Sequence, residues 1–382
     1  MLNKLKKVDW GIIVILVCLM AISFVLVRSA TYGNPMYPNF DIKTLIYYAL
    51  GFFVVFVITI FDYRIFLKSW HALYGIGVAL LILVYFFGST INGARGWFKI
   101  GELSVQPAEI MKIILIIGIA YLMGRRQGER LNFGQDLLPI AAFSFLPFAL
   151  VMMQPDLGNA IIYLVIVLGM LWIGNVKYSH VLVGLTVFIG SIVLFVSLFN
   201  MFNQEIFDYL NGHEKKHWYE RINTYINPEQ ASSDAKHQSE NAKIAIGSGG
   251  LSGDGYMQGD MLKGKFIPYP YSDSIFVVIG EEFGFQGAAV LLLLYFLLIY
   301  RMILIAFRCY DLRASFIVIG VASMFVFQIF QNIGMMIGLM PITGITLPFI
   351  SYGGTSLLLN MVSIGVVFSI KAHQEKYELA AD

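Results

Sequence analysis

Residues 268–284 read Pro268-Tyr269-Pro270-Tyr271-Ser272-Asp273-Ser274-Ile275-Phe276-Val277-Val278-Ile279-Gly280-Glu281-Glu282-Phe283-Gly284. A proline-stiffened polar loop runs here into an apolar stretch that carries three carboxylates, Asp273, Glu281 and Glu282. An ionised side chain at bilayer depth costs about 2.5–3.5 kcal/mol on insertion scales, so such groups persist mostly where they are paired or do chemistry. The rest of the chain places this stretch in a membrane. Of 382 residues, 58% are hydrophobic and 13% charged, against about a quarter charged in soluble domains. Mean hydropathy is +0.73. A net charge of +2 offers no electrostatic footprint for nucleic acid.

Working outward, ten stretches are long and apolar enough to span a bilayer: about 9–28, 43–61, 71–88, 108–123, 137–153, 158–174, 179–200, 274–299, 314–340 and 349–370. The fold class is therefore an all-α integral membrane protein of ten transmembrane helices, a single polytopic unit over 1–382. The basic N-terminus resembles a signal peptide, but no small-residue cleavage site follows, so it reads as a retained first span. Cys18 and Cys309 lie in or beside apolar spans and read as small packing residues.

Orientation follows from lysine and arginine in the short loops. With the N-terminus inside, the inner segments hold Lys4, Lys6, Lys7, Arg64, Lys68, Arg125, Arg126, Arg130, Lys177, Arg301, Arg308, Arg313, Lys371 and Lys376; the short outer ones hold Arg28, Lys43, Arg95 and Lys99. Both termini are expected in the cytoplasm. Residues 201–273, between the seventh and eighth spans, then form a large extracellular loop. Its mixed charges and aromatics include Trp218, Arg221 and Tyr225, and residues 241–246 are expected to be helical. Every polar motif emerges on that same outer side, which suggests one composite cavity.

Asp273 sits where the long loop meets the eighth span. An ionised carboxylate there is a competent general base; it, or Ser272, equally suits a helix N-cap. Glu281 is expected about 12 Å deeper along the helix, where it needs a cation or a proton. Glu109 and Lys112, three apart, are neighbours on one helix face. They neutralise each other, or Lys112 answers Glu281 or an anionic ligand. The loop Asn92-Gly93-Ala94-Arg95-Gly96-Trp97-Phe98-Lys99 combines glycine freedom and two cations, and reads either as a phosphate contact or as an interfacial anchor. The Pro/Gly/Ser/Thr-rich run 338–356, with Ser351, reads as a cavity wall, because irregular backbone at membrane depth must line protein or water. The glycine-rich run 247–255 lacks the P-loop lysine and is assigned no nucleotide.

Taken together these motifs resemble the SEDS proteins (shape, elongation, division and sporulation). The resemblance rests on the Tyr-Pro-Tyr-Ser-Asp273 to Gly284 stretch, on Asn92-Gly-Ala-Arg95-x-Trp97 and on Gln106-Pro107-x-Glu109-x-x-Lys112. It extends through Gln154-Pro155-Asp156-Leu157-Gly158, Ala245 to Leu251, and Pro341 to Ser356. It covers nearly the whole chain, in order, and is nearest to the cell-elongation members. It departs at Gly96, Ala108 and Asp254, where a second arginine, a serine and a lysine are common, so no phosphate role is carried over to those three.

The resemblance implies a bacterial cell-membrane glycosyltransferase that polymerises lipid II into β-1,4 glycan on the outer face. Asp273 matches the family's essential aspartate, and Trp97 and Glu281 match positions implicated in activity. Arg95, Lys99, Glu109, Lys112 and Ser351 join them as candidate substrate contacts, with Arg221 a weaker one. A divalent cation, magnesium or manganese, is left open, with no metal ligands assigned. The partners implied are lipid II and the growing glycan, a class B penicillin-binding protein, the elongation machinery and membrane lipid. The rival readings are a lipid II flippase, against which stands the lack of an inverted repeat, and a non-catalytic scaffold.

Overall fold

The computed structural model describes residues 7–91, 94–101, 103–126, 128–212, 219, 222–223, 226 and 233–374. The helices are α1 (Trp10–Thr31), α2 (Phe40–Ile60), α3 (Arg64–Lys68), α4 (Trp70–Phe87), α5 (Pro107–Met123), α6 (Leu138–Met153), α7 (Leu157–Ile173), α8 (Tyr178–Met201), α9 (Asn203–Gly212), α10 (Ser233–Ser248), α11 (Asp260–Lys263), α12 (Ile275–Phe307), α13 (Leu312–Met336) and α14 (Gly354–His373). Among the described residues nine helices are long and apolar enough to cross a membrane, and α7, at 17 residues, is a shorter apolar helix. Together they match the ten expected spans.

Helix starts follow local chemistry. Asp9 caps α1 by accepting from the Ile12 amide at 3.2 Å. Pro107 occupies the first turn of α5, where no amide is needed. The Asp9 carboxylate also meets Lys371 at 2.8 Å and Arg301 at 3.5 Å, so α1, α12 and α14 converge at the end of the bundle that carries both termini. Burial pushes the Asp9 carboxyl up, but the hydrogen bond and charge of Lys371 outweigh it and hold it below the usual value. The core is centred on α5, buried along nearly its whole length, with α13 and α14 beside it. α8 stands apart: among its described side chains only Phe199 is buried.

Two features depart from the all-helical expectation. First, the segment between α4 and α5 is a three-stranded antiparallel sheet, β1 (Ser89–Ile91), β2 (Ala94–Ile100) and β3 (Leu103–Val105), in the order β1-β2-β3. Ser89 pairs with Trp97 and Thr90 with Arg95, so β2 advances two residues against one and bulges at Gly96.

Second, α12 is broken. Gly284 has φ 59° and ψ −157°, backbone open essentially to glycine alone. The glycine-rich run wraps this break. Asp254 and Gly255 amides donate to the Glu281 and Glu282 carbonyls (2.9 and 3.1 Å), and Phe285 and Gln286 amides donate to the Gly250 and Leu251 carbonyls (2.9 and 3.1 Å). The run carries no side chains at Gly249 and Gly253 because a Cβ there would lie 2.0 Å from the Gly280 carbonyl and 2.2 Å from that of Glu282. The glycine-rich run, assigned no nucleotide from its sequence, forms a backbone clasp.

Glu281 lies on the helical stretch ahead of this break, and its Oε1 accepts from the Met261 amide of α11 at 2.6 Å. Its neighbour Glu282 accepts from Ser29, two residues from the end of α1. The expected helix at 241–246 lies within α10, which seats Ala242 and Ala245 against α12.

Candidate functional site

Asp273 stands one residue before the N-cap of α12, and its backbone is held from two directions. The Asn332 amide group of α13 donates to its carbonyl at 2.7 Å. Ser351 donates to the Ser272 carbonyl at 2.7 Å, and the Tyr352 amide donates to the Tyr271 carbonyl at 2.8 Å. The same Ser351 oxygen accepts from the Leu347 amide at 2.8 Å. Asn332 also donates to the Ile345 carbonyl at 2.7 Å. The 337–353 connection is thus tied to the residues on both sides of the carboxylate.

That connection is itself anchored at depth. Ser23 donates to the Ile350 carbonyl at 2.7 Å, and the Tyr48 and Tyr295 hydroxyls donate to the carbonyls of Phe349 and Pro348. Three helices thereby satisfy consecutive carbonyls of non-helical backbone, as an apolar surround requires. The run is non-helical backbone packed against protein.

Tyr37, Phe40, Tyr271 and Tyr352 form an aromatic group, with Phe40 stacked on Tyr352 at 4.1 Å and Tyr37 tilted by 53° to Tyr271 at 4.5 Å. Asp273 is half-buried, and a Cβ on Gly344 would come no nearer than 3.9 Å to its Oδ2. Burial pushes its carboxyl up to about 6, against the pull of its own amide and that of Ser274. A carboxylate of that basicity is ionised at neutral pH and close to the ideal for proton abstraction.

The sheet reaches the same wall. Thr355, in the first turn of α14, donates to the Ser104 carbonyl of β3, and Thr346 and Ser356 share a hydrogen bond at 3.0 Å. Ser104 pairs with Lys99, which is exposed; Trp97 is half-buried, and its carbonyl accepts from Ser89 at 2.9 Å. Arg95 is placed in β2, and its side chain lies outside the described residues, as does the whole of Glu102 and Arg221.

Glu109 and Lys112 pair with each other at 2.7 Å, both buried. Of the sequence-level alternatives this favours mutual neutralisation, and Lys112 does not answer Glu281. Beside them Asp156 accepts from Gln106 at 2.6 Å and from the Asn159 side chain at 2.8 Å. Burial raises the Asp156 carboxyl, opposed by Asn159. Gln106 ends the sheet connection and starts α5, so this polar cluster fixes the sheet to α5 and α7.

Sequence reasoning missed Asn332 and Gln331, which bonds the Pro341 carbonyl at 3.0 Å. The available signal was Gln328, Gln331 and Asn332 inside an otherwise apolar span. Among the described residues no three His, Cys, Asp or Glu side chains converge as metal ligands, and no step below runs through a metal.

The profile of a family described as "Cell cycle protein", comprising FtsW, RodA and SpoVE, matches residues 5–376. The chain belongs to this SEDS family. The stage V sporulation protein E of Bacillus subtilis (strain 168) is 30% identical over 385 residues, 98% of this chain and 99% of that protein. The peptidoglycan glycosyltransferase RodA of Treponema pallidum (strain Nichols) is 28% identical, covering 87% of this chain and 90% of its own. A solved structure described as the structural coordination of polymerization and crosslinking by a peptidoglycan synthase complex superposes with a TM-score of 0.77, at 28% identity over 97% of this SEDS chain and 99% of that one. The crystal structure of the rod shape determining protein RodA of Thermus thermophilus gives 0.68 at 28% identity, over 97% and 98%.

Proposed function

We propose that this SEDS protein is a peptidoglycan glycosyltransferase that polymerises lipid II on the outer face of the cytoplasmic membrane, with Asp273 as general base. The observation that carries the reading is a carboxyl raised to about 6 on backbone that Asn332, Ser351 and Tyr352 hold against the non-helical 337–353 connection. Support comes from relatives named peptidoglycan glycosyltransferases across both the RodA and FtsW groups.

In this mechanism the 4-hydroxyl of the acceptor sugar attacks the anomeric carbon of the lipid-linked glycan. The new β-1,4 bond forms as the bond to the undecaprenyl pyrophosphate oxygen breaks, with inversion. Asp273 takes the hydroxyl proton, and the pyrophosphate leaves with its electron pair. That leaving group needs positive charge rather than a proton; Arg95 and Lys99 of the sheet are the candidates to supply it, and Lys112 is already paired with Glu109. Trp97 offers an aromatic face to sugar or lipid. Ser351 acts through the backbone beside Asp273, and Glu281 acts at a remove by holding α11.

The lysine and arginine bias puts both termini in the cytoplasm and residues 201–273 outside. A class B penicillin-binding protein is the crosslinking partner, by analogy with the synthase complex above. Whether elongation, division or sporulation is served rests on which partner is bound; the resemblance favours elongation.

The test is an assay of the purified chain with labelled lipid II, alone and with its partner. Glycan strands are the expected product, and their absence in both reactions overturns the reading. Orientation is read separately with a Cys-free background carrying Asp254→Cys. An impermeant maleimide added to intact cells is expected to label it; labelling only after lysis contradicts the topology.

A further inference from the structure

At the bundle end that carries the termini, the ring of Tyr121 holds two guanidiniums. The Arg125 Cζ lies 5.1 Å from the ring centroid and the Arg313 Cζ 5.2 Å. Arg125 comes from the single 3-10 turn after α5, and Arg313 from the first turn of α13. Gly124 makes the approach feasible, because a Cβ there would lie 2.1 Å from the Arg313 Cγ.

Like charges on one ring repel, and a cation–π contact returns only about 0.5–1 kcal/mol at an exposed site. Counter-charge is nevertheless lacking: among the described residues neither guanidinium has a carboxylate within ion-pair reach. The adjacent Arg126 is paired with Asp136 at 2.8 Å. Asp311, at the head of α13, is taken up by the Arg313 amide at 2.9 Å and the Tyr63 hydroxyl at 3.2 Å. The Tyr121 hydroxyl likewise has no hydrogen-bond partner among the described residues. Arg125 is exposed, while Tyr121 and Arg313 are half-buried. The Trp70 ring lies 5.3 Å from Tyr121 and His71 6.2 Å, an aromatic belt of the kind that sits at headgroup level.

We infer that Arg125, Arg313 and the Tyr121 hydroxyl form a binding site for the phosphodiester head of an anionic glycerophospholipid. Guanidiniums take phosphate oxygens in pairs, and basic pockets between membrane helices on the cytoplasmic side suit such headgroups. The site lies at the opposite end of the bundle from Asp273. It rests on the orientation proposed above but not on the glycosyl-transfer chemistry.

The test uses the full-length protein in a neutral detergent, titrated with phosphatidylglycerol or phosphatidylcholine and read by native mass spectrometry. Wild type is expected to retain phosphatidylglycerol preferentially. At about 1 kcal/mol per basic residue near an anionic surface, Arg125→Gln costs about fivefold in affinity and Arg125→Gln with Arg313→Gln about twenty-fivefold. Binding of phosphatidylcholine should not change, and millimolar inorganic phosphate should not displace the lipid. Equal retention of both lipids by wild type overturns the site, as does an undiminished preference in the double variant. Displacement by free phosphate overturns its assignment to a lipid. The exposed single variant keeps the test valid if the double variant misfolds. Lipid II polymerisation measured on the same samples separates loss of this site from failure of the enzymatic reading.

Discussion

Replacing Gly284 by alanine probes how the long loop and the broken helix depend on each other. Two costs add. Alanine at φ 59°, ψ −157° carries strain of about 1–3 kcal/mol. Its Cβ would also lie 2.5 Å from the Gly253 nitrogen, 2.8 Å from the Gly249 oxygen and 2.9 Å from the Gly250 oxygen, all backbone. Relief requires the clasp to move, which gives up the Gly253–Gly249 bond (2.7 Å) and the Phe285–Gly250 bond (2.9 Å). At about 0.5–1.5 kcal/mol each, those bonds bring the total to about 2–6 kcal/mol. The assay is hydrogen–deuterium exchange on peptides spanning 249–255 and 280–286. A local loss of 2 kcal/mol corresponds to exchange faster by about thirtyfold. The effect should be confined to the loop and the first half of α12, leaving the α2–α14 packing protected. Wild-type exchange at 249–255 would refute the clasp, because no rearrangement of distant residues makes room for that methyl group.

Other perturbations follow from the same geometry. The turnover of wild type should climb about tenfold per pH unit below about 6 and level off above it, since the working form of Asp273 is the ionised one; a flat profile between pH 4.5 and 7.5 removes it as the base. The same raised carboxyl contributes stability that is full below 3.8 and lost as pH rises through about 6, which thermal melts at matched ionic strength can read. Ser351→Ala leaves the buried Leu347 amide unpaired and frees the Ser272 carbonyl. It should cost about 1–3 kcal/mol of stability, and lower turnover with little change in the KM for lipid II; an unchanged turnover would mean that Asp273 does not need this anchor. Lys112→Met strands a buried Glu109 carboxylate, at about 3–5 kcal/mol. Adding Glu109→Gln should recover most of that loss in a melt, and a double variant no more stable than the single would show that the pair is not the unit of stability.

The spans were legible because twenty apolar residues have few other uses, and the observed helices fall within a few residues of them at most ends. The long eighth span shows the limit. Its length and its two glutamates were visible, but the break at Gly284 is enforced by Gly249 to Gly255, some thirty residues away in sequence. A continuous helix was the local answer. The β1–β3 sheet was hidden for another reason: strands of three, seven and three residues give too few alternations to register as a period. At the site, Asp273 announced itself as a charge at a loop–span junction. Asn332 did not, because a polar residue in an apolar helix names no partner; only the packing of α13 against the 337–353 connection shows that it holds the aspartate's own carbonyl.

The central claim is that the Asp273 carboxylate removes the acceptor proton. Asp273→Asn keeps the size and the backbone bonds to Asn332 and removes only the base. With labelled lipid II, the purified variant and its partner penicillin-binding protein should form glycan at about 10²–10⁴-fold below the wild-type rate, while inserting and melting as wild type does. Polymerisation by Asp273→Asn at near the wild-type rate would contradict the account.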